Sequence, residues 1–194
     1  MKENQFFAMM SRMKYINRWG LMRNTYNENI CEHSLQVAMI AHALGVIGNT
    51  YFNKNINSDR LAIMGMYHDV TEIITGDLPT PVKYYNPVIR NAYNDVEKEA
   101  KDQLLAGIPE EMQPVYAPLL LDTEEERELW KYVKAADKIS AYIKCIEEGR
   151  MGNRDFEKAG ESIKDIINDM GMDEVDFFME KFIPAYMITL DETR

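Results

Sequence analysis

Two histidines and three carboxylates in this sequence have the chemistry of a metal centre. They are His33, an adjacent His68–Asp69 pair, Glu72 and Asp137. Two imidazoles with two carboxylates suit a divalent first-row transition metal such as Mn, Co, Fe or Ni, whereas structural zinc favours thiolates. Glu72 comes four residues after His68, where a carboxylate could transfer a proton beside a metal-activated water. The residue types are therefore compatible with a metal centre that has a proton-transfer group beside it.

Apolar periodicity places the predicted ligands on the inward faces of three separate helices. Each ligand continues the apolar stripe of its own helix: His33 in helix 30–50, His68 in helix 59–74 and Asp137 in helix 123–148. Burying such a group without a partner costs several kcal/mol, roughly 2–7 for a neutral polar group and more for a charge. Convergence on one cation would remove this cost.

The His68–Asp69 pair does not fit a regular helix easily, because neighbouring side chains point roughly 100° apart. Both side chains can reach one metal only near a helix end or where the helix is distorted. Glu72 lies at i+4 from His68, so the same helix would present both on one face.

Each of these residues also has an ordinary structural interpretation. A histidine on an apolar face is often a hydrogen-bonded core residue, and a His-Asp dipeptide is common. Asp137 could pair with Lys134, Lys138 or a distant arginine. The residue pattern alone leaves the metal site and these alternatives open.

Two polar loops supply residues that could bind a phosphorylated ligand. Arg18 and Lys83 are candidate phosphate cations, the first as a bidentate fork and the second as a point charge. Trp19 could stack on a ring or exclude part of a sugar, and the prolines of segment 76–83 would hold Thr80 and Lys83 in a rigid loop. The alternatives are a surface cation–π pair between Arg18 and Trp19 and a proline-rich turn without function.

Length, charge and composition limit the class of protein. The chain has 194 residues, a size that fits one domain over residues 1–194, and a net charge of −10 without a Lys/Arg run. No nucleic acid polymer is therefore expected as a partner. The two cysteines suggest no secreted framework, the N-terminus lacks a signal-peptide core, and no run approaches roughly 18 apolar residues. We expect a cytoplasmic protein without a membrane partner.

The periodicity is helical throughout and strand-like alternation is absent, so an all-α bundle is predicted. The helices are expected at residues 4–13, 30–50, 59–74, 87–106, 109–120, 123–148, 155–170 and 173–183.

Beyond these patterns, the order His33, His68–Asp69, Asp137 resembles the HD-domain metal-dependent phosphohydrolase superfamily. Longer stretches over roughly residues 5–192 resemble its bacterial 5'-deoxynucleotidase family: INRWGLMRN, EHSLQVAMIAHAL, YHDVTEIITGDLPTPVKYYN, KAADKISAYIKCIEEG and DFFMEKFIP. The NRW and TGDLPTPVK segments are the most specific. This resemblance implies an HD-domain helical bundle, a homodimer, and metal-dependent hydrolysis of deoxyribonucleoside 5'-monophosphates to nucleoside and phosphate.

The resemblance also implies roles for individual residues. One divalent transition metal, Co, Mn or a similar ion, would be bound by His33, His68, Asp69 and Asp137. The implied catalytic residues are Glu72, which assists proton transfer, Arg18, which orients the phosphate, and Asp69.

Trp19 would pack against the sugar and disfavour a 2'-hydroxyl. The implied substrate contacts are Arg18, Trp19, His33, Asp77, Thr80, Pro81, Val82, Lys83 and Asp137. Gly20 stands where relatives often have proline, which puts the strength of sugar discrimination in question.

Three alternatives to this function remain. Another HD hydrolase would act on nucleoside triphosphates or on cyclic or pyrophosphorylated nucleotides. An HD bundle that binds a nucleotide as a sensor would show a bound metal without turnover. A purely structural helical protein would bind no metal.

Overall fold

The computed structural model describes residues 4–83, 85–121, 123–124 and 126–193, and all regular elements within them are helical, apart from a single bridge between Asn17 and Asn29. The prediction of an all-α protein is confirmed. The α-helices in the described part of the chain are α1 Phe6–Met10, α2 Ile30–Tyr51, α3 Ser58–Tyr67, α4 Glu72–Thr75, α5 Thr80–Lys83, α6 Pro87–Leu105, α7 Gln113–Leu120, α8 Arg127–Arg150, α9 Glu157–Asn168 and α10 Asp173–Lys181. Short 3₁₀ stretches span Met13–Tyr15, Arg154–Phe156, Ile183–Met187 and Leu190–Thr193.

The chain divides into two compact units. The first contains the described residues of Met1–Leu21, Asn27–Ser34 and Tyr67–Arg127, and the second those of Met22–Tyr26, Leu35–Met66 and Glu128–Arg194. The expectation of one domain over the whole chain stays a prediction.

The first unit is built around an apolar cluster that fixes the chain on both sides of the predicted ligands. Ile30, just before His33, is fully buried in this cluster, and so is Val70, just after Asp69. The other buried members are Phe6, Met13, Leu104, Ile108 and Leu120. Close packing in a buried cluster restricts side-chain movement, so the segments that carry the predicted ligands are held by their apolar neighbours.

The second unit depends on close packing of α2 against α3. A Cβ atom added at Gly65 would lie 2.7 Å from the Cα of Ala38, and one added at Gly45 would lie 2.9 Å from the Cβ of Ser58. Because residue 65 faces residue 38 and residue 58 faces residue 45, the two helices run antiparallel. The same register, continued by one turn, places the start of α2 beside the end of α3.

A buried carboxylate anchors segment 22–26 in the second unit. Glu148 on α8 is 1% exposed and accepts hydrogen bonds from the backbone N–H groups of Thr25 and Tyr26, the side-chain amide of Asn153 and the ammonium of Lys144. Burial alone would raise the pKa of Glu148, but these hydrogen bonds outweigh it and lower the pKa to about 2.

The predicted helix 59–74 is interrupted, which is the largest difference between the expected and observed elements. Helix α3 ends at Tyr67, residues 68–71 form turns, and α4 begins at Glu72. Tight backbone hydrogen bonds from Val70 to Tyr67 and from Glu72 to Asp69 replace the α-helical pattern. The burial of Val70 in the first unit's core accounts for the break, since tertiary packing overrides local helix propensity.

Other helix boundaries differ by smaller amounts. The predicted helix 4–13 is a single α-helical turn followed by a 3₁₀ turn, and the predicted helix 109–120 begins at Gln113, with proline in its first turn. Segment 80–83, expected as a loop, forms one helical turn. The predicted helices 123–148, 155–170 and 173–183 are present, with ends shifted by two to four residues at some boundaries.

Helix α2 is both long and apolar. An 18-residue window within Ile30–Tyr51 has a mean hydropathy of 1.4, so by length and composition this helix could cross a membrane. Polar residues such as Glu32 and Gln36 interrupt this stretch, so it is not a continuous apolar run. Within the protein 56% of the window is buried, as in the core helix of a folded protein, so the hydropathy is weak evidence for a membrane span.

Candidate metal and phosphate site

His33, His68 and Asp69 come together in the first unit. The Nε2 atoms of His33 and His68 lie 3.4 Å and 3.0 Å from the same oxygen, Oδ2 of Asp69. The ring centroids of the two imidazoles are 5.1 Å apart. His33 is fully buried and His68 is 8% exposed at its side chain, while 22% of the Asp69 side chain is exposed. One face of the group is therefore open to a ligand.

These three side chains could hold a metal ion, because one donor atom from each lies within 4.8 Å of the other two. Two imidazole nitrogens and a carboxylate oxygen are suitable donors for a divalent first-row transition metal. The donor set and its partial exposure fit a centre with an open coordination position rather than a closed structural site.

The break after α3 explains how the adjacent His68 and Asp69 reach one point. Both residues lie in the turn that follows Tyr67, where neighbouring side chains no longer diverge as they would along a regular helix. His33 lies in the first turn of α2, at the end of that helix which the antiparallel register places beside the end of α3. Of the two geometries allowed by the sequence, a helix end is the one observed.

Glu72 occupies a different position from the one that helical phasing predicts. It begins the separate helix α4, so its relation to His68 is set by the intervening turn and not by one continuous helix face. Burial, together with the charges of Asp69 and Asp77, raises the pKa of Glu72 to about 9, although Arg18 and Lys83 lower it. Its Oε2 atom is buried and has no hydrogen-bond partner among the residues that the structure describes.

The loop before α2 gathers Arg18, Trp19 and Glu28. The guanidinium Nη1 of Arg18 lies 2.6 Å from Oε2 of Glu28, and both side chains are close to nine-tenths buried. The indole Nε1 of Trp19 donates to the same oxygen at 3.3 Å. The guanidinium also lies 5.8 Å from the Trp19 ring centre, so the cation–π pair exists, but the arginine is only 12% exposed and is not a surface group.

Trp19 has a left-handed backbone conformation, with φ of +62°. This conformation is unfavourable for a bulky residue, by on the order of 1–3 kcal/mol, and persists only where the surroundings enforce it. Here the backbone N–H of Trp19 donates to Oδ2 of Asp77 at 3.0 Å, and its indole is held by Glu28. Two carboxylates therefore fix the backbone and the ring of Trp19.

A glycine turn aims Asp77 toward this loop. Gly76 ends α4 with φ of +72°, a conformation that glycine adopts without strain. Burial raises the pKa of Asp77, and the charge of Arg18 and the hydrogen bond from Trp19 only partly offset this effect. Asp69 and His33 also influence the pKa of Asp77, so the loop shares one electrostatic environment with these two candidate ligands.

Lys83 lies at the end of α5 and is paired with helix α6. Its Nζ atom is 3.0 Å from Oε1 of Glu97 and 4.5 Å from the centre of the Tyr93 ring. Because Lys83 lowers the pKa of Glu72, its charge acts in the same environment as that of Arg18. The preceding residues Thr80, Pro81 and Val82 are exposed on the same helical turn.

Asp137 belongs to the second unit, on α8, and its Oδ2 lies 2.9 Å from the ammonium of Lys138. A lysine pair was one of its sequence-based alternatives. Its place as a fourth metal ligand and substrate contact stays a prediction.

Sequence reasoning missed Glu28 and Glu97, the carboxylate partners of the two candidate phosphate cations. Glu28 lies in a polar loop without periodicity, and its position depends on the backbone bridge that closes the loop between Asn17 and Asn29. The available signal was charge complementarity: a buried arginine requires an acid, and the loop containing Arg18 has an acid at its far end.

The chain matches a family model described as 5'-deoxynucleotidase YfbR-like over residues 5–186. A 5'-deoxynucleotidase from Cronobacter sakazakii (strain ATCC BAA-894) is 49% identical over 195 residues, covering 99% of this chain and 96% of the relative. The 5'-deoxynucleotidase YfbR of Escherichia coli O1:K1 is 48% identical with the same coverage.

Solved structures are similar in fold. A crystal structure of an HD-domain phosphohydrolase from Listeria innocua has a TM-score of 0.81 at 24% identity, covering 96% of this chain and 90% of that protein. The HD phosphohydrolase DatZ of cyanophage S-2L, solved with dA and one catalytic Zn²⁺ ion, has a TM-score of 0.62 at 21% identity, covering 95% and 98%. These similarities confirm the predicted HD-domain bundle. The family match and the full-length relatives at nearly half identity establish that the chain belongs to the YfbR-like 5'-deoxynucleotidase family.

Proposed function

We propose that the protein hydrolyses deoxyribonucleoside 5'-monophosphates to deoxyribonucleosides and phosphate in a metal-dependent reaction, and that it selects against ribonucleotides. The observation that carries the proposal is the convergence of Nε2 of His33 and Nε2 of His68 on Oδ2 of Asp69, in one electrostatic environment with Arg18 and Lys83. The relatives named 5'-deoxynucleotidase support the substrate class.

His33, His68 and Asp69 would hold a divalent metal, with Asp137 as the fourth ligand. When bound, such an ion supplies Lewis-acid activation of water and neutralises phosphate charge. We propose cobalt or manganese as the metal, because both suit nitrogen and oxygen donors. The Zn²⁺ ion in the cyanophage relative supports a divalent ion of this general kind.

Arg18 and Lys83 would bind the phosphate oxygens and orient the phosphorus for in-line attack. Positioning and charge stabilisation are the main requirements of phosphoryl transfer, and two cations with carboxylate partners are suited to both. Asp69 would take part in catalysis as a metal ligand, because its Oδ2 lies beside the Nε2 atoms of both histidines.

Glu72 would handle the proton at its buried Oε2 atom. A carboxyl group whose pKa is raised to about 9 keeps its proton at neutral pH in the metal-free protein. With the metal bound, Glu72 would assist proton transfer beside the metal-activated water.

Trp19 would exclude a 2'-hydroxyl, because its ring and its backbone are both fixed and cannot move aside at low cost. Asp77, Thr80, Pro81 and Val82 would complete the substrate contacts with Lys83. The dA found in the cyanophage relative supports a deoxynucleoside as the ligand class.

We also propose a cytoplasmic homodimer. Exposed apolar side chains lie along the outer faces of α2 and α3 in the second unit, and a second copy of the chain would cover them: Leu35, Met39, Val46, Ile63 and Met66. Analytical ultracentrifugation of the wild type and of Met39→Glu should give a dimer and a weakened dimer. A wild-type monomer would contradict this part of the proposal.

A substrate panel tests the function. Protein from which a chelator has removed bound metal is supplied with Mn²⁺ or Co²⁺. It is then incubated with dAMP, AMP, dATP or a cyclic nucleotide, and the products are identified. We expect orthophosphate from dAMP, much less from AMP, and none without metal. Tripolyphosphate from dATP would indicate a different HD hydrolase, and metal binding without any product would indicate a nucleotide sensor.

A further inference from the structure

A single oxygen of Glu28 connects the two side chains that the proposed function assigns to phosphate and sugar. Oε2 of Glu28 accepts from Nη1 of Arg18 at 2.6 Å and from Nε1 of Trp19 at 3.3 Å. Glu28 is 8% exposed, so these interactions are largely shielded from water. The backbone repeats the connection, because the N–H of Arg18 donates to the carbonyl of Glu28 at 2.9 Å.

We infer that Glu28 is a positioning residue that couples phosphate orientation by Arg18 to the exclusion of ribonucleotides by Trp19. This inference rests on the proposed function. Glu28 needs no contact with the substrate, since it acts through the two side chains that it holds.

The physical basis on the arginine side is the loss of freedom of a long side chain. A free guanidinium samples many rotamers, and a charge-assisted hydrogen bond to a buried carboxylate selects one of them. A guanidinium has five N–H donors, so a bond through Nη1 is compatible with phosphate binding by the same group. Removal of the Glu28 charge would leave a buried arginine poorly neutralised and free to shift.

The basis on the tryptophan side is the strained backbone. Asp77 holds the backbone N–H of Trp19, which does not by itself fix the direction of the ring. The indole bond to Glu28 supplies that second restraint. Without it the ring can rotate about its side-chain torsions and make room for a 2'-hydroxyl.

Kinetic measurements test the coupling. The kcat and KM for dAMP and AMP are compared in the wild type, Glu28→Gln, Glu28→Asp and the control Glu99→Gln, which removes an exposed carboxylate of α6. We expect Glu28→Gln to lower kcat/KM for dAMP by about tenfold or more, the usual effect of losing a hydrogen bond to a charged group. The ratio of kcat/KM for dAMP over AMP should fall as well. Glu28→Asp should recover part of both, and Glu99→Gln should match the wild type.

A double-mutant comparison separates the two arms of the coupling. Trp19→Phe removes the indole donor but keeps an aromatic ring. In that background Glu28→Gln should still lower the rate on dAMP through Arg18, with little further change in the dAMP to AMP ratio.

The indole N–H resonances give a readout that is independent of turnover. The chain has two tryptophans, and Trp19→Phe identifies the Trp19 signal by its disappearance. In the metal-free protein this signal should shift in Glu28→Gln and stay in place in Glu99→Gln. Titrating dAMP and AMP against the same signal gives their ratio of dissociation constants.

An unchanged Trp19 resonance in Glu28→Gln, or an unchanged preference for dAMP over AMP, would overturn the inference. A wild type that binds dAMP in preference to AMP and releases no phosphate would refute the proposed hydrolysis, while the binding ratios of the variants would still test the role of Glu28.

Discussion

The backbone N–H of Trp19 donates to Oδ2 of Asp77 at a distance of 3.0 Å, across 58 residues of sequence. This hydrogen bond holds the left-handed conformation of Trp19 and joins the loop before α2 to the turn after α4. The family resemblance implies that Asp77 contacts the substrate. The same carboxylate also shapes the loop that carries Trp19, the residue proposed to exclude a 2'-hydroxyl.

Replacing Asp77 by alanine should release the strained conformation of Trp19. We expect kcat/KM for dAMP to fall by about tenfold or more, as for other hydrogen bonds to charged groups, and the preference over AMP to fall with it. Asp95→Ala, which removes an exposed carboxylate of α6, is the matched control. If Asp77→Ala keeps the wild-type preference for dAMP over AMP, Asp77 does not position Trp19 for the exclusion of ribonucleotides.

Replacing Glu72 by glutamine should change activity and stability in opposite directions. In the metal-free protein the pKa of Glu72 is raised from 4.5 to about 9. Between these pH values the unfolded chain has released the proton of Glu72 while the folded protein still holds it. The folded state therefore loses stability as the pH rises from about 4.5 toward 9. Glutamine carries no charge, so the Tm of the chelated variant should exceed that of the wild type at pH 8. With metal and dAMP, kcat should fall by about 10²-fold or more, as expected for a lost proton-transfer group. Full turnover in Glu72→Gln would contradict the role proposed for Glu72.

The Glu148 cluster predicts a specific acid sensitivity. The pKa of Glu148 is lowered from 4.5 to about 2, so its contribution to stability is complete above about pH 4.5 and is lost as the pH falls toward 2. The difference corresponds to about 3 kcal/mol at neutral pH. Denaturant unfolding should therefore show Glu148→Gln to be less stable than the wild type at pH 7, with the gap closing below about pH 3. Glu161→Gln, at an exposed site on α9, should behave as the wild type. A difference in the free energy of unfolding that does not depend on pH would argue against the charge of Glu148 as its cause.

Two glycines give a matched test of the packing of α2 against α3. A Cβ at Gly65 would lie 2.7 Å from the Cα of Ala38, whereas a Cβ at Gly149 of α8 meets no atom within 4 Å. Gly65→Ala should lower the free energy of unfolding by about 1–3 kcal/mol through overpacking. Gly149→Ala should raise it by about 0.5–1 kcal/mol, because alanine loses less backbone entropy in a helix. Equal effects of the two substitutions would contradict the close approach of the helices.

The inward position of His33 was predictable from the sequence because it depends on local periodicity. Helix α2 has its apolar stripe where the 3.6-residue repeat predicts it, and His33 on that stripe is fully buried. Residue types and phasing also singled out the His68–Asp69 pair and required a helix end or a distortion there, although the predicted helix 59–74 continued past it; the structure has a helix end at Tyr67.

The position of Glu72 and the conformation of Trp19 were not predictable in the same way. The end of α3 at Tyr67 depends on the burial of Val70 among residues distant in sequence, so phasing along one helix misplaced Glu72. The positive φ of Trp19 and its bonds to Glu28 and Asp77 depend on how two loops meet, which residue periodicity does not encode.

A cobalt titration tests the central claim most directly. Chelated protein is titrated with Co²⁺ while the visible absorption of the bound ion and phosphate release from dAMP are recorded together. We expect both signals to saturate at about one ion per chain, and His68→Ala to lose both, because one centre formed by His33, His68 and Asp69 should bind the metal and support the reaction. Phosphate release that continues in chelated protein, or cobalt binding that His68→Ala leaves unchanged, would contradict it.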